Sequence, residues 1–88
     1  MHFVYLLYSE SSDRFYVGST SDLGQRLQSH NDKRNKSTVY GAPWKLVYYE
    51  AYGNRLAALD RERKLKNHGK GIAELKKRIA IREQKGAG

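Results

Sequence analysis

Two tyrosines, an arginine and a histidine are spaced in this chain as chemistry would need them. Tyr5 lies in Val4-Tyr5-Leu6 and Tyr16 in Tyr16-Val17-Gly18. These two β-type runs are separated by Ser9-Glu10-Ser11-Ser12-Asp13, which predicts a hairpin turn. Arg26 and His30 follow one helical turn apart. A hairpin leading straight into a helix would gather two phenols, a guanidinium and an imidazole near one end of a sheet. That set suits phosphodiester chemistry. A guanidinium makes charge-assisted contacts to phosphate, and an imidazole can hydrogen-bond a phenol or shuttle a proton. The plainer alternative is structural. Arg26 and His30 share a side with Leu23 and Leu27 and could both snorkel at the rim of the core. Tyr5 and Tyr16 are ordinary strand residues by propensity.

Glu62 adds a carboxylate in an unexpected place. Projected at about 100° per residue, Leu56, Ala58, Leu59 and Leu65 define one apolar arc, and Glu62 falls inside it. A carboxylate there is costly unless it is paired, hydrogen-bonded or bound to metal. Lys66, one turn on, faces the same way, and on spacing alone a Glu62–Lys66 pair is the favoured reading.

The elements that must position these groups follow from periodicity. Residues 3–8 are apolar or aromatic throughout, which predicts a central strand covered on both faces. Residues 14–18 give a second strand. Thr20 or Ser21 then offers an N-cap, with Asp22 in the first turn of a helix running to His30 or Asn31. The polar stretch 31–43 reads as a loop, and residues 44–51 as a third strand. Trp44, after Pro43, reads as a packing anchor rather than a base-stacking platform. Asn54 suits the N-cap of a helix to Asn67, broken by Gly69 and Gly71. Ile72, Leu75 and Ile79 predict a last helix over 70–84. The order is β-β-α-β-α-α, with helices expected on both faces of a small sheet.

The chain has 88 residues, and one domain over 1–84 with a frayed tail at 85–88 is expected. There is no cysteine, which excludes disulfides and thiolate metal sites. No run approaches membrane-spanning length, so a soluble cytoplasmic protein with no membrane partner is expected. The net charge is +8 and is unevenly spread. Residues 1–60 hold seven Lys/Arg against six Asp/Glu, and residues 61–88 hold ten against three. The basic C-terminal third, including Lys64, Lys66, Lys70, Lys76, Lys77 and Arg78, is a candidate surface for nucleic acid. A solvated helix face is the plainer reading of the same charges.

The ordered series Tyr5, Tyr16, Arg26, His30 and Glu62 resembles the GIY-YIG nuclease domain, named for its two tripeptides. Val4-Tyr5-Leu6 stands for the first and Tyr16-Val17-Gly18 for the second. The run from Gly18 to His30 looks like that family's following helix. Pro43-Trp44-Lys45-Leu46-Val47 and the segment from Ala58 to Lys66 look like its third strand and its glutamate helix. The resemblance covers nearly the whole chain. It is nearest to small stand-alone bacterial members, which relate to the catalytic module of the excision-repair incision subunit.

The resemblance implies an α/β protein of the α+β type, with a three-stranded antiparallel sheet flanked by three helices. It also implies a metal-dependent endonuclease acting on nucleic acid, with DNA the favoured substrate and repair or recombination the expected setting. Glu62 would hold one divalent cation, Mg²⁺ or Mn²⁺, which reverses the preference for a plain ion pair. Tyr16 would activate water, supported by Tyr5. A phenol titrates near ~10, so such a base needs positive charge nearby, which Arg26 and the cation would supply. The chain is too short to carry a separate targeting domain, so a protein partner for targeting is a further expectation. Two departures stand out. Ser19 occupies a position where some members carry lysine, and no residue clearly matches a late asparagine, with Asn67 the nearest. The competing class is a non-catalytic nucleic-acid-binding module that uses the basic helices.

Overall fold

The apolar run at the N-terminus becomes the middle of the sheet. The computed structural model describes residues 1–32, 39–67 and 71–77. Strand β1 (His2–Ser9) pairs antiparallel with both β2 (Arg14–Thr20) and β3 (Trp44–Tyr52), giving the order β2-β1-β3. Helix α1 (Leu23–Asn31) follows β2, and α2 (Arg55–Asn67) follows β3. A third helix, α3, covers 71–77. The chain therefore has the expected α+β architecture and element order. The outer part of the last expected helix, the 85–88 tail, Lys70 and Arg78 lie outside the described residues.

Alternation along β1 divides the molecule in two. Val4 and Leu6 point to one face, where Val17, Ala58 and Leu65 join them in the core with Leu75 of α3. Tyr5 and Leu7 point to the other, where they meet Trp44, Tyr16 and the α1 leucines Leu23 and Leu27. All of Val4, Tyr5, Leu6 and Leu7 are buried. A strand buried on both sides needs apolar residues at every position, which is what its sequence supplies.

The β1–β3 ladder contains a bulge. Leu6 pairs with Tyr48 and Leu7 with Leu46, so Val47 is the extra residue. The bulge reverses which face each parity serves. Trp44 and Leu46 lie on the Tyr5 side, while Tyr48, Glu50 and Tyr52 lie on the α2 side.

The turns use local polar chemistry. Ser9 Oγ accepts from the Ser12 backbone and hydroxyl, and Asp13 takes φ 51°, a conformation that aspartate tolerates. Asn54 caps α2 by accepting from Ala57 N at 2.8 Å, as its position predicts. At α1 the expectation is corrected. The cap is Asp22 itself, accepting from Gln25 N at 3.0 Å, and no acid stands in the first turn. β2 runs to Thr20, whose hydroxyl instead accepts from Asp22 N.

A second correction concerns α2. Leu56 is 77 % exposed, so it is not part of the buried arc. The stripe facing the sheet runs through Ala58, half-buried Arg61 and Glu62, and Leu65. It mixes apolar side chains with two paired charges, and Leu56 falls outside it. Among the described residues no helix is long and apolar enough to cross a membrane.

Candidate active site

The two phenols and the imidazole meet on the α1 face. Tyr5 and Gly18 are partners across β1 and β2, and Leu7 partners Tyr16. Tyr5 and Tyr16 therefore project from neighbouring strands onto the same side, with ring centroids 6.5 Å apart. Gly18 is what lets Tyr5 lie flat across β2. A Cβ at Gly18 would fall 2.3 Å from the Tyr5 hydroxyl and 2.5 Å from Cζ. His30 comes down from the last turn of α1. Its Nε2 shares a buried hydrogen bond with the Tyr5 hydroxyl at 2.9 Å, and its ring meets Tyr16 edge-on at 5.1 Å. His30 is fully buried, so it does not snorkel at a rim as the plainer reading had it.

Electrostatics set the protonation of this pair. Burial pushes the Tyr5 phenol well above its ordinary value, helped by the neighbouring Tyr16 and Glu62 against the opposing charge of Arg26. Burial also lowers His30, and the Arg26 guanidinium lowers it further. At neutral pH the pair is a protonated phenol against a neutral imidazole. Arg26 itself is exposed one turn before His30, on the wall of a polar hollow of about 420 Å³ that it shares with Gln25, Ser29 and Asp32. Its charge reaches both Tyr5 and His30.

Glu62 approaches from α2, across the sheet. Its Oε1 accepts from Ser19 Oγ at 2.7 Å, and Lys66 Nζ lies 2.8 Å from Oε2. Ser19 thus stands in contact with the carboxylate. Burial pushes Glu62 upward. The hydrogen bonds from Lys66 and Ser19, with the charges of Lys66 and His2, outweigh it and hold the carboxyl below its usual range. The pairing with Lys66 expected from spacing is present. Lys66 also lies 5.7 Å from the centre of the Tyr16 ring, so it links the carboxylate to the phenol cluster.

Glu62 and Ser19 are oxygen donors, and a positive charge already rests against Oε2. This set fits a hard divalent cation that keeps most of its water. Among the described residues, no group of three or more His, Cys, Asp or Glu comes together as a metal cage.

The walls are tied down by Asn31 and Trp44. Asn31 Oδ1 accepts from Trp44 N, and its Nδ2 donates to the Trp44 carbonyl at 3.1 Å. Trp44 is 6 % exposed and meets Tyr16 edge-on at 6.2 Å. This is the packing role expected of it. The basic residues divide. Lys66 belongs to the Glu62 cluster, Lys64 pairs with Asp60 at 3.0 Å, and Lys76 lies over the Phe15 ring at 4.5 Å. Lys77 is exposed.

Sequence reasoning missed a second carboxylate. Glu50 accepts from the Tyr48 and Tyr52 hydroxyls and from Nε and Nη2 of Arg61. Burial opposes its charge, but these bonds hold it near a pKa of about 2. The signal available was Tyr48-x-Glu50-x-Tyr52, a period of two that places all three on one face.

Comparison with known proteins finds similar chains. A UPF0213 protein of Haloquadratum walsbyi is 36% identical over 69 residues, covering 76% of this chain and 75% of its own length. A UPF0213 protein of Streptococcus pyogenes serotype M5 is 40% identical over 60 residues, covering 66% of this chain and 65% of its own. No solved structure is a significant match. The family model described as the GIY-YIG catalytic domain matches residues 1–78, and the chain belongs to the GIY-YIG family.

Proposed function

We propose that the chain is a divalent-metal-dependent endonuclease that hydrolyses phosphodiester bonds in nucleic acid, with DNA the favoured substrate. Membership of a nuclease family supplies the class of reaction. The observation that carries the reading is the contiguity of the cluster. The Tyr16 ring meets His30 edge-on, Lys66 Nζ lies 5.7 Å from the centre of the same ring, and Lys66 is held by Glu62.

In this reading Arg26 contacts the scissile phosphate and offsets charge that develops on its oxygens. Tyr16 takes the proton of the attacking water. Tyr5, kept protonated by burial, orients its neighbours and is itself held by neutral His30. Glu62 holds the divalent ion, with Ser19 fixing the carboxylate. When bound, that ion supplies polarisation of the phosphate and stabilisation of the leaving oxygen. Lys64, Lys76 and Lys77, with Lys70 and Arg78, track the flanking phosphates.

One observation favours the alternative, a non-catalytic binding module. Lys66 already neutralises Glu62, so the carboxylate is satisfied without metal. Glu62→Gln separates the two. It is nearly isosteric and loses the anion, so cleavage of labelled DNA with Mg²⁺ or Mn²⁺ should fall by orders of magnitude, while DNA binding persists or strengthens. Equal cleavage by variant and parent excludes the catalytic role of Glu62.

A further inference from the structure

A groove of about 470 Å³ runs along the free edge of β2 and shares Tyr16 and Trp44 with the cluster described above. Arg14, Phe15, Tyr16, Tyr40, Gly41 and Trp44 line it. Tyr40 is 95 % exposed. A single exposed aromatic means little by itself, but this one sits on a turn with a fixed seat. A Cβ at Gly41 would lie 2.2 Å from Trp44 Cζ2, so the turn Val39–Gly41 presses directly on the Trp44 ring. Asn31 clamps the Trp44 backbone in turn. Tyr40 therefore rises from a turn seated on the same wall that contacts Tyr16, with its ring free to meet a ligand.

Among the described residues that line the groove, the one charged side chain is a cation, Arg14. Arg14 is exposed at its mouth, and Lys76 Nζ lies over Phe15. No carboxylate is among the described residues that line it. Aromatic faces beside cations form the combination that binds unpaired nucleotides, with bases stacking on rings and phosphates meeting guanidinium or ammonium groups.

We propose that this groove is a nucleotide subsite. It takes one unstacked base of single-stranded nucleic acid beside the bond cut at Tyr16, with Tyr40 stacking on the base and Arg14 holding the adjacent phosphate. The inference rests on the nuclease reading for its position relative to the bond cut. It goes beyond that reading by assigning a preference for unpaired over duplex substrate. Stacking tolerates any base, so no sequence preference is implied.

Binding is measured without metal, so that cleavage does not intervene. Fluorescence anisotropy of a labelled single-stranded DNA in EDTA compares the parent with Tyr40→Ala, Tyr40→Phe and Arg14→Ala. Tyr40→Ala should weaken binding at least ~5-fold, the lower end of a lost base–aromatic stack. Tyr40→Phe, which keeps the ring, should bind like the parent, and Arg14→Ala should weaken binding and flatten its salt dependence. A blunt duplex should barely distinguish parent from Tyr40→Ala. Single-stranded RNA should show the same Tyr40 dependence as DNA, because the stack uses the base and not the sugar.

Unchanged single-strand affinity in Tyr40→Ala overturns the subsite, as does an equal loss on the duplex. Cleavage by the parent with no Tyr40 effect on binding leaves the nuclease reading standing and removes this one. Tyr40-dependent binding without cleavage does the reverse.

Discussion

Gly18→Ala tests whether the Tyr5 seat has the tightness described. Gly18 does not use a positive φ, so alanine fits the backbone and only space is at issue. The new Cβ would lie 2.3 Å from the Tyr5 hydroxyl and 2.5 Å from Cζ, closer than real Cβ atoms approach. Tyr5 is 4 % exposed and enclosed by Leu7, Trp44 and Tyr16, so it has no route into solvent. Overpacking of this kind costs about 1–3 kcal/mol. Moving the phenol also strains or breaks its buried bond to His30, for about another 1–3 kcal/mol. A combined loss of roughly 2–6 kcal/mol stands against a total of about 4–13 kcal/mol for a domain of this size. The expected drop in Tm is at least roughly 10 °C. Urea unfolding followed by circular dichroism, run as a double-mutant cycle with Tyr5→Phe, isolates the contact. Removing the hydroxyl first removes the nearest clash, so the double variant should be less destabilised than the two singles together, by on the order of 1 kcal/mol. An unchanged Tm in Gly18→Ala, or strict additivity in the cycle, refutes the account.

Three other outcomes are expected. Tyr16→Phe should slow single-turnover cleavage by roughly 10²-fold or more, the range of general-base loss, and Tyr5→Phe should cost less; a larger loss at Tyr5 means that the two roles are exchanged. Glu50, lowered from 4.5 to about 2 by its bonds to Arg61, Tyr48 and Tyr52 in spite of burial, contributes stability that is present above about pH 4.5 and lost as pH falls through about 2. Glu50→Gln should therefore unfold more easily in urea at neutral pH, by an amount on the order of 2–3 kcal/mol, and show a shallower acid loss than the parent; parallel pH profiles would contradict this. Reversing Lys76 and Lys77 to Glu should flatten the fall of DNA affinity with salt, and an unchanged slope would show that they face away from nucleic acid.

How far the molecule could be read in advance depended on whether a feature was local. β1 announced itself because every position from Phe3 to Tyr8 is apolar or aromatic, and only a central strand tolerates that. The α2 cap was visible because Asn54 acts three residues away. The Glu62–Lys66 pair was visible at one helical turn. The Glu50 clamp was not, since Arg61 comes from another element and the alternating Tyr48, Glu50 and Tyr52 also fit a solvated edge. Leu56 misled for a related reason. A helical projection gives the apolar arc but not the width of the face that the sheet covers. Burial of His30 was equally invisible, because it depends on Gly18 letting Tyr5 lie where an imidazole can reach it.

The bulge at Val47 sets how the chain can change over time. Before it, Trp44 and Leu46 serve the Tyr16 face; after it, Tyr48, Glu50 and Tyr52 serve the α2 face. Deleting Val47 itself would close the bulge and leave Leu46 opposite Leu7 and Tyr48 opposite Leu6, each still on its own face, whereas losing a residue elsewhere in the strand would turn one set toward the wrong side, either the wall behind Tyr16 or the clamp on Arg61. Substitutions can therefore accumulate on either face independently, whereas a change of length in β3 is accommodated only at the bulge. Length in this strand should be far more restricted than side-chain identity. Variants recovered from random mutagenesis for retained folding should tolerate replacements at exposed Lys45 or Tyr49 and reject gaps from Trp44 to Tyr52 other than one at Val47.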